Sequence, residues 1–230
     1  MTNEVALIVG AGKGLSASLA RACAKRGMKV ALAARNVEKL APLLADTGAK
    51  AYPCDAAQLP AVQQLYRAVG ADLGAPTLVV YNASARARGP FVEIDPAQIA
   101  KSLEVTAYGA FLVAQEAAKR MLPAGRGSIL FTGASASVKG YAQSASFAMG
   151  KFALRGLAQS MARELAPQGI HVAHFVIDGG IGQPGETRAD RGADGFLDPD
   201  AIAQTYLHIH DQPRSAWTWE VELRPWTEKF

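Results

Sequence analysis

The tightest constraint on this chain is a series of short segments that are apolar at every position rather than at every second one. Val5–Val9 reads Val-Ala-Leu-Ile-Val and Val30–Ala34 reads Val-Ala-Leu-Ala-Ala. Side chains along a strand alternate between two faces, so a run with no polar position must be buried on both, as a parallel strand between helical layers is. Further candidate strands are Ala49–Cys54, Thr77–Asn82, Ser128–Thr132, His171–Ile177 and Trp217–Leu223, separated by helix-length stretches near 15–27, 36–46, 57–72, 95–122, 146–166 and 199–210. This alternation predicts right-handed βαβ units, hence a doubly wound parallel α/β sheet. The last strand differs. Trp217, Trp219, Val221 and Leu223 alternate with Thr218, Glu220 and Glu222, a pattern expected at a sheet edge or a subunit contact.

With 230 residues, half of them hydrophobic and 19% charged, the chain has the size of one domain over residues 1–230 and enough apolar content to offset chain entropy. Its 24 basic and 20 acidic residues leave a net charge of +4, too small and too scattered to indicate a nucleic-acid partner. Cys23 and Cys54 have no CxxC or Cys/His ligand spacing, so neither a disulfide framework nor a structural metal is expected. Glu4 stands where a signal peptide would carry basic residues, and no apolar run approaches a membrane span. These features point to a soluble cytoplasmic protein.

Directly after the first strand comes Gly10-Ala11-Gly12-Lys13-Gly14-Leu15-Ser16, where a helix is expected to begin. Glycines permit a tight turn and a close backbone approach to a pyrophosphate, and a helix N-terminus adds partial positive charge. The motif therefore predicts dinucleotide binding. Ser16 in place of a third glycine is expected to loosen helix–strand packing slightly. An acidic residue ending the second strand would favour NAD; this chain has Ala34, Arg35 and Asn36 there. With Lys13 in the loop, Arg35 would flank a 2′-phosphate, so NADP(H) is favoured over NAD(H).

With these landmarks, and with Asp55, Asn82-Ala83-Ser84, the stretch Gly127–Lys151 and the helix that Lys151 opens, the chain resembles the short-chain dehydrogenase/reductase family over essentially its whole length. The resemblance implies a Rossmann-type, seven-stranded sheet in the order 3-2-1-4-5-6-7, hydride transfer between NAD(P) and a carbonyl or hydroxyl substrate, and a homodimer or homotetramer. It implies Asp55 at the adenine ring and Asn82 with Ala83 at the adenosine ribose. The implied cofactor set is Gly10, Gly12, Lys13, Gly14, Leu15, Arg35, Asp55, Asn82, Ala83, Lys151 and Gly179.

The match fails at the catalytic positions. The family's Tyr-x-x-x-Lys falls on Phe147-Ala148-Met149-Gly150-Lys151; its serine falls on Ala134 and its helix asparagine on Thr106. In the family the tyrosine delivers a proton, the lysine lowers the tyrosine's pKa and holds the nicotinamide ribose, and the serine binds the developing oxyanion. A general acid contributes roughly 10²–10⁴ in rate and one oxyanion donor roughly 10²–10³. Substitute donors are sought at Ser135 and Tyr141 first, then at Ser137, Ser144 and Ser146.

On the substrate side the indications conflict. Asp178-Gly179 replaces the family's Pro-Gly and would repel an anion, whereas Arg86 and Arg88 would attract one. The segment Asp178–Pro199, with six Gly and two Pro, reads as a loop over the ligand crevice. His171 and His174 are placed at the start of the sixth strand, and His208 and His210 at a helix end. The chain is thus either an oxidoreductase with altered acid–base residues or a catalytically silent dinucleotide-binding subunit; its substrate is not readable.

Overall fold

Apolar runs and helical stretches assemble into one seven-stranded sheet in the order β3-β2-β1-β4-β5-β6-β7, with every neighbouring pair parallel. The computed structural model describes residues 4–183, 192 and 194–228. The strands are β1 (Val5–Val9), β2 (Lys29–Ala34), β3 (Lys50–Pro53), β4 (Leu78–Tyr81), β5 (Gly127–Thr132), β6 (Ile170–Ile177) and β7 (Glu220–Leu223). The helices are α1 (Leu15–Lys25), α2 (Ala41–Thr47), α3 (Leu59–Asp72), α4 (Pro96–Leu103), α5 (Gly109–Met121), α6 (Ala145–Leu165) and α7 (Pro199–His210). Among the described residues no helix is long and apolar enough to cross a membrane.

The strand period divides the core in two. Val5, Leu7 and Val9 join Val62, Val113 and Leu154 from α3, α5 and α6, while Ala6 and Ile8 join Leu19, Leu43 and Tyr206 from α1, α2 and α7. The single helix expected over 95–122 is interrupted by a π turn at Glu104–Tyr108. Tyr81 Oη donates to the Val105 carbonyl there, and a Cβ on Gly109 would lie 2.6 Å from that hydroxyl. The turn carries Thr106 inward.

The last strand is shorter than its alternation predicts and begins only at Glu220. Gln212 occupies the backbone N–H of Thr218 through Oε1 (2.8 Å) and donates from Nε2 to Thr218 Oγ1 (2.9 Å), while the Trp217 ring stacks on His171 at 4.6 Å. Side chains thus take these residues out of the ladder. On the polar face of β7 Glu222 is exposed, whereas Glu220 is partnered. Glu220 accepts from Arg155 of α6 through both carboxylate oxygens, at 2.6 and 2.7 Å, and from His174 Nδ1 at 3.0 Å.

His171 is the second residue of β6 and His174 the fifth, and both are buried. His174 Nε2 has no partner among the described residues, so protonation would strand a charge, and burial lowers its pKa to about 4. Burial raises the Glu220 pKa, but the Arg155 guanidinium outweighs it and holds the carboxyl below its ordinary value.

Unfolding returns His174 to about 6.5. Between these values the unfolded chain binds more protons, so the stability present above pH 6.5 is lost as pH falls toward 4, by roughly 3 kcal/mol at most. Denaturant unfolding across pH 4–7 measures this slope, and His174→Gln reduces it.

Candidate active site

Gly10 leaves β1 with φ +86°, and its N–H and that of Ala11 both donate to Ala33 O of β2, at 2.9 and 3.0 Å. A Cβ at Gly10 would lie 2.4 Å from Ala83 N, so the loop after β4 requires glycine there. Gly12 and Gly14 are different. A Cβ on either would meet nothing within 4 Å, so packing does not demand glycine and the loop backbone faces open space where a ligand can approach. Leu15 is buried in the core, which leaves only its backbone N–H for a ligand. Ser16 does the opposite of loosening the helix: buried, it donates to Gly10 O (3.0 Å) and accepts from Asn82 Nδ2 (2.7 Å), joining the β1 and β4 loops.

These loops border a cleft of about 350 Å³ at the carboxyl ends of β1 to β4, lined by Gly10, Ala11, Arg35, Asn36, Asp55, Asn82 and Ala83 among others. Asp55 Oδ1 accepts from Ala57 N (3.1 Å), which turns the chain beneath the cleft. Lys13 and Arg35 are exposed and form no ion pair among the described residues. The glycine-loop backbone and the cleft beside it fit the phosphates of a dinucleotide.

The other end of the crevice is built on α6. Phe147 and Lys151 are one turn apart. Lys151 is only 3% exposed and donates to Thr132 O at 2.6 Å; burial first, then the nearby Arg86, lowers its pKa to about 7. Gly150 admits the close packing, since a Cβ there would lie 3.0 Å from Thr106. Two cations lie over the Phe147 ring, with Arg86 Cζ 4.3 Å and Lys151 Nζ 5.7 Å from its centroid.

Ala134 gives its N–H to Ser137 Oγ (3.1 Å), and Ser146 is committed to Ala87, so neither hydroxyl is free. Ser135 is half-buried and its hydroxyl has no hydrogen bond among the described residues. Ser144 caps the start of α6 without a side-chain bond, and Tyr141 is 46% exposed.

Asp178 is not an unpaired charge. Asp178 Oδ2 accepts from Lys139 Nζ (3.3 Å) and Arg224 Nη2 (3.1 Å), which neutralise it. Gly179, with φ +151°, has a packing role: a Cβ there would lie 2.8 Å from Pro225. An Ile181–Leu197 bridge closes the base of the expected loop, whose residues 184–191 and 193 lie outside the described residues. Sequence reading missed the hydroxyl clamps on the β4 loop. Thr106 Oγ1 accepts from Ala85 N (3.0 Å) and donates to Ala85 O (3.3 Å), and Ser146 Oγ does the same with Ala87 at 2.8 Å in each direction.

Comparison with known proteins adds four findings. The family model described as short chain dehydrogenase matches residues 4–185. D-threitol dehydrogenase of Mycolicibacterium smegmatis is 29% identical over 177 residues, covering 75% of this chain and 68% of that protein. Among solved structures, a short-chain dehydrogenase from Rhodopseudomonas palustris is 35% identical with a TM-score of 0.86, covering 98% of this chain and all of that one. A metagenomic short-chain oxidoreductase in complex with NADP is 27% identical with a TM-score of 0.85, and 98% of each chain is covered.

The buried Lys151 amine is a stability cost. Its native pKa lies below its unfolded value of 10.5, so the cost is full below about pH 7 and disappears as pH rises toward 10. Lys151→Met is expected to raise the melting temperature of the free protein at pH 7 by roughly 2–8 °C, with the difference shrinking by pH 10 in thermal scans.

Proposed function

Because the chain belongs to the short-chain dehydrogenase family, we propose that it is an NADP(H)-binding oxidoreductase whose proton transfer does not use the family's tyrosine and serine. The cationic end of β2 carries the cofactor half of this reading. Arg35 and Lys13 form no ion pair among the described residues, stand beside a loop open at Gly12 and Gly14, and suit a 2′-phosphate that an acidic residue ending β2 would repel. The NADP complex of the metagenomic relative supports it.

When bound, NADPH supplies the hydride. Lys151 holds the proton: with a pKa near 7 its Nζ exchanges protons at neutral pH, the condition under which a general acid is most effective. Ser135 is the hydroxyl beside the Ala134 position still able to donate toward an oxyanion. Phe147 and Ala134, lacking any exchangeable proton, favour the second reading of a silent dinucleotide-binding subunit.

We also propose a homodimer or homotetramer, supported by Phe111, Met149 and Phe152, which are exposed on α5 and α6. Trp217 is spent on His171 instead. Buried, separate thiols at Cys23 and Cys54 suit the reducing cytoplasm.

NADPH is expected to bind about tenfold more tightly than NADH in fluorescence titrations, a preference lost in Arg35→Ala; equal affinity in both proteins overturns the phosphate assignment. Turnover is then read on a panel of carbonyls and quinones. The double change Phe147→Tyr with Ala134→Ser is expected to raise it by roughly 10²-fold or more. NADPH binding with no turnover by the wild-type protein supports the silent reading.

A further inference from the structure

Residue 86 is held from both sides. Ala85 and Ala87 each give both backbone groups to one hydroxyl, Thr106 from the π turn and Ser146 from α6. Two elements far apart in sequence therefore fix the backbone of one loop residue with four hydrogen bonds, and Thr106 and Ser146 are themselves almost fully buried.

The side chain so positioned is a cation without an anion. Arg86 lies over Phe147 with Cζ 4.3 Å from the ring centroid, is exposed, and has no ion pair or hydrogen bond among the described residues. Asp178, the carboxylate following β6, is already satisfied by Lys139 and Arg224. Arg88 adds positive charge beside it, and neither arginine forms an ion pair among the described residues. A guanidinium held over an aromatic face keeps N–H groups able to take an oxyanion bidentately.

We infer that Arg86 is a preorganised receptor for an oxyanion, and that the carbonyl substrate of the site carries a carboxylate or phosphate. The substrate half rests on the oxidoreductase reading above; the anion site does not. Phe147, in place of a proton donor, becomes the platform that aims Arg86.

The test is calorimetric titration with matched pairs, 2-oxobutanoate against its methyl ester and dihydroxyacetone phosphate against dihydroxyacetone, each with and without NADPH. One charged member is expected to bind about tenfold more tightly than its neutral partner at low salt, and which pair shows it separates carboxylate from phosphate. Arg86→Gln is expected to remove the advantage, Arg86→Lys to keep part of it, and Arg88→Gln to leave most of it. No charged preference in either condition, or a preference that survives Arg86→Gln, overturns the inference. Failure of NADPH to bind counts against the proposed function alone, because the cofactor-free arm still reads the anion site.

Discussion

The burial of both sheet faces is the constraint on which everything else rests. With Val5, Leu7 and Val9 packed against one helical layer and Ala6 and Ile8 against the other, no length of β1 can carry polar chemistry. Function is displaced to the strand ends. Gly10 follows β1, Arg35 follows β2, Asp55 lies just beyond β3, Asn82 follows β4, Ala134 lies just beyond β5 and Asp178 follows β6. The sheet order reverses direction between β1 and β4, and loops leaving neighbouring strands part there to form the crevice.

The sequence therefore exposed the fold through local signals, and the site through position relative to them. Apolar runs located the strands to within a residue or two except at β7, where Gln212 engages Thr218 and His171 stacks on Trp217, so the regular strand begins only after them. What stayed illegible was long-range partnership. Ser16 reads as a weak substitute for glycine until Asn82, 66 residues away, donates to it. Asp178 reads as a repulsive charge until Lys139 and Arg224 are seen beside it. Thr106 reads as a lost asparagine, and only the fold shows its hydroxyl clamping Ala85. Each of these depends on a side chain meeting a group that no periodicity encodes.

The polar exceptions inside the sheet secure α6. Arg155 is one turn beyond Lys151 on that helix, and its bidentate pair with Glu220, backed by His174 of β6, ties the helix to the sheet edge. An arrangement of buried polar groups contributes less net stability than apolar packing would, but it fixes one geometry because every alternative leaves a charge unpaired. The geometry fixed here is the rotation of α6 about its axis, and hence the placement of Phe147 and Lys151 on the face turned toward Thr132 and Arg86.

That placement brings two cations to one ring. The Lys151 amine is 3% exposed with Thr132 O as its hydrogen-bond partner, and burying its charged form costs free energy that an apolar residue of similar volume would not. The Phe147 ring has the Arg86 guanidinium over it, a contact contributing roughly 0.5–1 kcal/mol where exposed, and four hydrogen bonds from Thr106 and Ser146 hold the backbone on either side of Arg86. Positive charge, from Lys151 and Arg86, is therefore what α6 and the β4 loop bring to the Phe147 ring.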